Sequence, residues 1–246
     1  MSIDMLEEEF DSDLVSRKAR RAVLSFISAE MARLGASPRP DERLVILRDD
    51  TIGPMCSCLS SETCLILLAN EGGRICQFAY QLAHEYCHWL IGGPLRGRLE
   101  GLFWLEETIC ELSSLYHLRR LADVWSALMV EWREYPESLR SYYEEEIRGT
   151  EALPLPLSGY IGLHLAELST PAYDRYKYRA MALALLPQYE SHPQLWGLLP
   201  YLGSPADCLT VEEWLRGLWT RTPEPLLCEV DRLSPILLGV PAPRRI

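Results

Sequence analysis

Hydrophobic and polar positions divide the chain into a first part that mixes helix and strand periods and a second part that is helical almost throughout. Leu14, Ala22, Val23, Phe26, Ile27, Met31 and Leu34 recur at helical spacing. Asp13 stands before them as a cap and Gly35 after them as a stop, so a helix is predicted over 14–34. Residues 44–47 predict a short buried strand, and Thr63 to Ala69 a second one, closed by Asn70-Glu71-Gly72-Gly73. That second strand either borders a cleft with a free edge or lies paired on both sides. Residues 51–61 read as loop. Ile75 to Ile91 is then helix-compatible and carries one formal charge, Glu85, before Gly92-Gly93-Pro94 stops it. Past this point strand signals nearly vanish. Residues 95–103 read as a loop, and helices are predicted near 104–133, 137–147, 171–186 and 210–219. Pro171 suits a first turn and Thr210-Val211-Glu212-Glu213 a capping box. Residues 151–168 hold two prolines and two glycines and read as a loop, and the tail from Pro241 as poorly ordered. The architecture expected is α+β: an N-terminal α+β part over 1–92, and a mainly helical part over 93–246.

Composition adds limits. With 246 residues, 48% of them apolar, the chain can bury a substantial core. Its formal net charge of −11 is spread along the sequence, so no nucleic-acid partner is expected. The start, MSIDMLEEEFDSD, has neither the basic nor the apolar region of a secretory leader, and no apolar run reaches spanning length. A cytoplasmic protein without a membrane partner is therefore expected, with its eight cysteines as reduced, mostly buried thiols. Cys56-Ser57-Cys58 with Cys64 matches no common zinc spacing. Arg17, Lys18, Arg20 and Arg21 read as a solvated helix face.

The chemistry concentrates in His84-Glu85-Tyr86-Cys87-His88. Histidines four apart on a helix share a face and can reach one divalent ion together. Glu85 beside them can take a proton from an activated water, the H-E-x-x-H arrangement of metalloproteases. Two imidazoles and a carboxylate late in an apolar helix are costly unless paired. The next predicted helix supplies partners in Trp104-Leu105-Glu106-Glu107-Thr108-Ile109-Cys110-Glu111, where eighteen residues separate His88 from Glu107. A catalytic zinc takes three protein ligands, and His84, His88 and Glu107 supply them. Glu111, one turn on, can accept from the far nitrogen of a ligand imidazole. Glu106 points about 100° away from Glu107, so both cannot face the metal. The plainer alternative for all three acids is a solvated helix face. His117 and His192 have no partner in sequence.

With HEYCH, the eighteen-residue gap and WLEETICE in hand, residues 75–115 resemble the gluzincin metallopeptidases, the thermolysin-like and aminopeptidase-like zincins. The resemblance implies a zincin-like fold, one zinc per chain and hydrolysis of peptide bonds in a peptide or protein substrate. It implies His84, His88 and Glu107 as ligands, Glu85 as general base and Glu111 as the acid that orients an imidazole. Glu106 stands where that family often has Asn, and the G-x-M-E-N signature of its aminopeptidase branch is not found. Such sites need a donor to the developing oxyanion. Tyr173, Tyr176, Tyr178 and His164 are the candidates. Two other readings stand beside this one: an intracellular peptidase that cleaves one regulatory partner, and a non-catalytic protein that keeps the fold and its zinc.

Overall fold

In the computed structural model, every residue is described except 1, 7–9, 11–12, 38–40, 61, 71–72, 93–101, 129, 171–173, 204–209 and 242–246. The described strands form one sheet: β1 (Ser2–Met5), β2 (Arg43–Arg48), β3 (Met55–Cys58) and β4 (Thr63–Leu68), in the order β1-β2-β4-β3. β1, β2 and β4 run parallel, and β3 is antiparallel to β4. Leu44 and Ile46, and Cys64, Ile66 and Leu68, alternate into the core as a period of two requires.

Two of these strands lie where no strand is expected. β3 falls inside 51–61; Met55-Cys56-Ser57-Cys58 has neither β-branched nor aromatic residues, so only its pairing with β4 makes it a strand. β1 is held by its ladder to β2 and by Arg43 Nε, which donates to Asp4 Oδ2 at 2.8 Å. With β3 outside it, β4 is an interior strand, and β3 and β1 are the edges of the described sheet.

α1 (Leu14–Arg33) starts where Asp13 accepts from Ser16 N and stops before Gly35, whose φ of 86° suits glycine. Arg20 does not join a solvated face: it is fully buried, its guanidinium 4.7 Å from the Phe10 ring. α2 (Ile75–Gly92) and α3 (Phe103–Leu128) form the centre of the molecule. α2 and the first half of α3 are buried on most sides, the three glutamates of α3 included. Two short side chains fix how they meet. Ser113 Oγ donates to Ala83 O and Ser114 Oγ to Tyr80 O, both at 2.9 Å, while the Cys87 thiol points at Ile109 O. The partners ascend on α2 as they descend on α3, so the helices are antiparallel and close.

Around this pair lie α4 (Tyr135–Ile147), α5 (Leu157–Leu168), α6 (Arg175–Ser191), the single turn α7 (Leu199–Leu202), α8 (Val211–Arg221) and α9 (Leu227–Leu238). α8 begins with the expected capping box, Thr210 and Glu213 bonding reciprocally. α5 replaces the loop expected over 151–168. Pro154 and Pro156 precede the helix, and Gly159 and Gly162 each cost about 1 kcal/mol that burial of Leu157, Tyr160, Ile161 and Leu168 offsets. α6 begins at Arg175, behind an Asp174 cap that accepts from Lys177 N, and continues through Pro187. Pro171, residues 93–101 and nearly all of the tail lie outside the described residues. Among the described residues no helix is long and apolar enough to cross a membrane.

His117 is sealed in this core on α3, its Nδ1–H donating to Ser113 O at 2.8 Å. Burial pushes its pKa down to about 4. The unfolded chain then binds the extra proton between pH 6.5 and 4, so stability from this group is complete above pH 6.5 and is lost as pH falls. We predict that His117→Phe reduces the difference in unfolding free energy between pH 7 and pH 5 by about 2 kcal/mol. Urea titrations of both proteins at the two pH values read it, and equal differences would contradict it.

Candidate metal centre

The antiparallel contact of α2 and α3 sets Glu107 against the His84–His88 face. One carboxylate oxygen of Glu107 lies 3.3 Å from His84 Nε2 and the other 3.2 Å from His88 Nε2. The two imidazoles stand one turn apart with ring centres separated by 5.0 Å. The far nitrogens meet carboxylates as well. His88 Nδ1–H donates to Glu106 Oε1 at 2.7 Å, and His84 Nδ1 lies 3.8 Å from Glu111 Oε2. Glu106, Glu107 and Glu111 are all buried, so the solvated acidic face is excluded. The 100° between Glu106 and Glu107 is real, but it carries Glu106 behind His88 rather than away from the site. Sequence reasoning missed this role because it asked only which acid faces the metal.

Burial alone would push His88 down, but its hydrogen bonds to Glu106 and Glu107 and the charge of Glu85 outweigh burial and hold its pKa well above the ordinary value. Burial likewise raises Glu107, and the bonds from His84 and His88 reverse that, bringing it to about 2. The cluster therefore attracts positive charge. A tetrahedral zinc with bonds near 2.0–2.1 Å holds its donors about 3.3–3.4 Å apart. The 3.2 and 3.3 Å separations, each between one imidazole nitrogen and a different oxygen of Glu107, are compatible with that spacing, so two imidazoles and a carboxylate could hold such an ion. A thiol lies close too: donor atoms of His84, His88 and Cys110 are all within 4.8 Å of one another and form a group able to hold a metal ion. Cys110 is fully buried, and desolvation together with its bond to Cys87 raises its pKa well above that of a free thiol. Its position one turn beyond Glu107 was a readable signal.

The centre opens into a cavity of about 540 Å³, within the range of ligand sites. β3 contributes Met55 and Cys56 to its walls. α2 contributes Gln77, Tyr80, Gln81, His84, Glu85 and His88, and α3 contributes Phe103, Glu107 and Glu111. Tyr142 and Glu146 of α4, Arg175 of α6 and Pro54 just before β3 complete the described lining. Glu85 is largely buried although it contributes to this wall. Behind the lining, Arg179 ties four helices together. Its Nε donates to Glu111 Oε1 at 2.6 Å, and its Nη2 to Glu146 Oε2 at 2.6 Å and to Tyr80 Oη at 3.2 Å. A further donation reaches Glu146 O. No local pattern announces this network, since its members lie far apart in sequence.

Comparison with protein-family models, with curated proteins and with solved structures finds no match. The donors named from sequence fare unevenly. Tyr173 lies outside the described residues. Tyr176 is exposed and His164 pairs with Glu167 at 3.2 Å; neither lines the cavity. Tyr178 is buried and near enough to Glu107 to feel its charge.

Metal affinity separates these roles, with zinc as the probe. Glu107→Ala should lose the most. Glu106→Ala should lose about 10- to 100-fold, the usual cost of removing an acid that holds a ligand imidazole. Glu111→Ala should lose less, because His84 Nδ1 is 3.8 Å away and Arg179 claims that carboxylate. Cys110→Ser should bind as the unaltered protein does. Competition with a chromogenic chelator ranks the four, and a Cys110→Ser defect equal to that of Glu107→Ala would replace the carboxylate by sulfur.

Proposed function

We propose that this chain is a zincin-like zinc metallopeptidase, hydrolysing peptide bonds with Glu85 as general base and one zinc held by His84, His88 and Glu107. The observation that carries the reading is the Glu107 carboxylate spread across both Nε2 atoms, with Glu85 opening to the same cavity. Glu107 is favoured over Cys110 because it faces both imidazoles and borders the cavity, whereas the thiol is sealed off and raised in pKa. Zinc bound there supplies a Lewis acid and makes water a nucleophile at neutral pH. Glu106 holds His88 in the tautomer that leaves its Nε2 free for a metal, and Glu111 faces the corresponding nitrogen of His84 from 3.8 Å. Glu85 takes a proton from the attacking water and delivers it to the leaving amine nitrogen.

The cleft also suits an extended chain. β3 is an edge strand of the described sheet, and Met55 and Cys56 on it line the cavity together with α2. A substrate backbone laid along this edge would gain ladder hydrogen bonds while its carbonyl faces the metal centre. A purely structural metal site has no use for a carboxylate on its cavity side, which favours hydrolysis over a scaffold role.

We predict that Glu85→Gln keeps zinc stoichiometry and the unfolding midpoint and lowers peptide hydrolysis at least about 100-fold, the scale of a lost general base. A fluorogenic peptide pool and elemental analysis of the same preparation read both quantities. Hydrolysis near the unaltered rate would remove Glu85 from the mechanism, and loss of zinc would make it a ligand.

A further inference from the structure

We propose that Arg175 is the substrate-binding residue of the cleft and that it selects peptides presenting a carboxylate close to the scissile bond. This rests on the peptidase reading of the same cavity and adds a substrate class to it. The described lining carries four acids, Glu85, Glu107, Glu111 and Glu146, the two imidazoles of the candidate metal centre, and one guanidinium, Arg175. Away from the imidazoles and any metal they hold, a substrate carboxylate meets repulsion from these acids and attraction at that guanidinium.

The two arginines of α6 divide their work. The Arg179 side chain is 7% exposed and is consumed by Glu111, Glu146 and Tyr80. It holds the helices together and has no surface to offer. The Arg175 side chain is 46% exposed and reaches Glu146 at 3.4 Å, a carboxylate that Arg179 already binds at 2.6 Å. Its guanidinium rests 5.3 Å from the centre of the Tyr80 ring. A guanidinium has five donors in a planar fork suited to a carboxylate, and stacking on an aromatic ring fixes the plane of that fork. The bond to Glu146 and the contact with Tyr80 use a minority of those donors. The residue itself is part of the cavity lining.

Position follows from the helix. Tyr80 lies one turn before His84 on α2, a rise of about 6 Å. An extended peptide covers about 3.3 Å per residue, so a group over Tyr80 meets substrate about two residues from the bond held at the metal centre. The carboxylate can come from an acidic side chain there or from a chain terminus that ends there. In either case Arg175 would bind it through two parallel N–H···O bonds, the strongest geometry for this pair.

Binding, not turnover, tests this. The zinc-loaded Glu85→Gln protein is titrated with N-dansyl pentaalanine peptides in which Glu is placed at each position in turn, each paired with its Gln counterpart. Pentaalanine itself is supplied as free acid and as amide. At least one pair should show the carboxylate form binding about tenfold tighter or more, as a charge-assisted pair implies. A preference within the Glu/Gln pairs assigns a side chain, and one within the acid/amide pair assigns the terminus. Adding Arg175→Gln should abolish the preference, and Arg175→Lys should keep part of it, with the unfolding midpoint unchanged because the side chain is half exposed. Equal affinities in every pair, no binding to any peptide, or a preference that survives Arg175→Gln would overturn the proposal. Cleavage is scored separately on the protein with Glu85 intact. Carboxylate selection without any cleavage supports Arg175 and defeats the peptidase reading, whereas cleavage without carboxylate selection does the opposite.

Discussion

The close antiparallel contact between α2 and α3 is the constraint on which the rest depends. Two serine hydroxyls on α3 end on carbonyls of α2, and side chains this short let the backbones approach. A shift by one residue along either helix would move Glu107 off the imidazole face by about 100°. It would also leave three carboxylates and two imidazoles buried without partners, a cost of several kcal/mol per charge. Register and site therefore stabilise one another: the helices place the charges, and the charges permit only one placement.

The same logic runs outward. Glu111 approaches His84 with one oxygen and Arg179 with the other, so the metal centre is joined to α6 and, through Glu146, to α4. Tyr80 closes the loop from α2. Every buried charge in this chain of pairs has its opposite within bonding distance, which is the condition for keeping charges in an interior at all. Arg175, one turn of α6 before Arg179, is the arginine of the network that remains half exposed.

How much of this could be read from sequence depends on the range of the interaction concerned. α1, α2 and α8 announce themselves through local signals: Asp13, the uninterrupted apolar run ended by Gly92, and the Thr210–Glu213 box. His84, Glu85 and His88 are legible for the same reason, since one helix fixes their relation. The eighteen-residue gap to Glu107 is legible only through resemblance to other proteins, because the residues between say nothing about packing. β3 and β1 were not legible, since ladders to distant strands create them against weak local propensity. α5 hid behind its two glycines. Glu106 was misjudged because a site was taken to have one side, whereas an imidazole has two nitrogens and both need partners. Arg175, Arg179 and Glu146 could be found only from the fold.

The central claim is that two imidazoles and one carboxylate bind a single zinc between α2 and α3. X-ray absorption at the zinc edge, on protein loaded with one equivalent of zinc, addresses it most directly. The account predicts a first shell of nitrogen and oxygen alone near 2.0–2.1 Å, with the outer-shell pattern of two imidazoles. Sulfur near 2.3 Å would place Cys110 in the shell in place of Glu107, and protein that retains no zinc after gel filtration would contradict the account altogether.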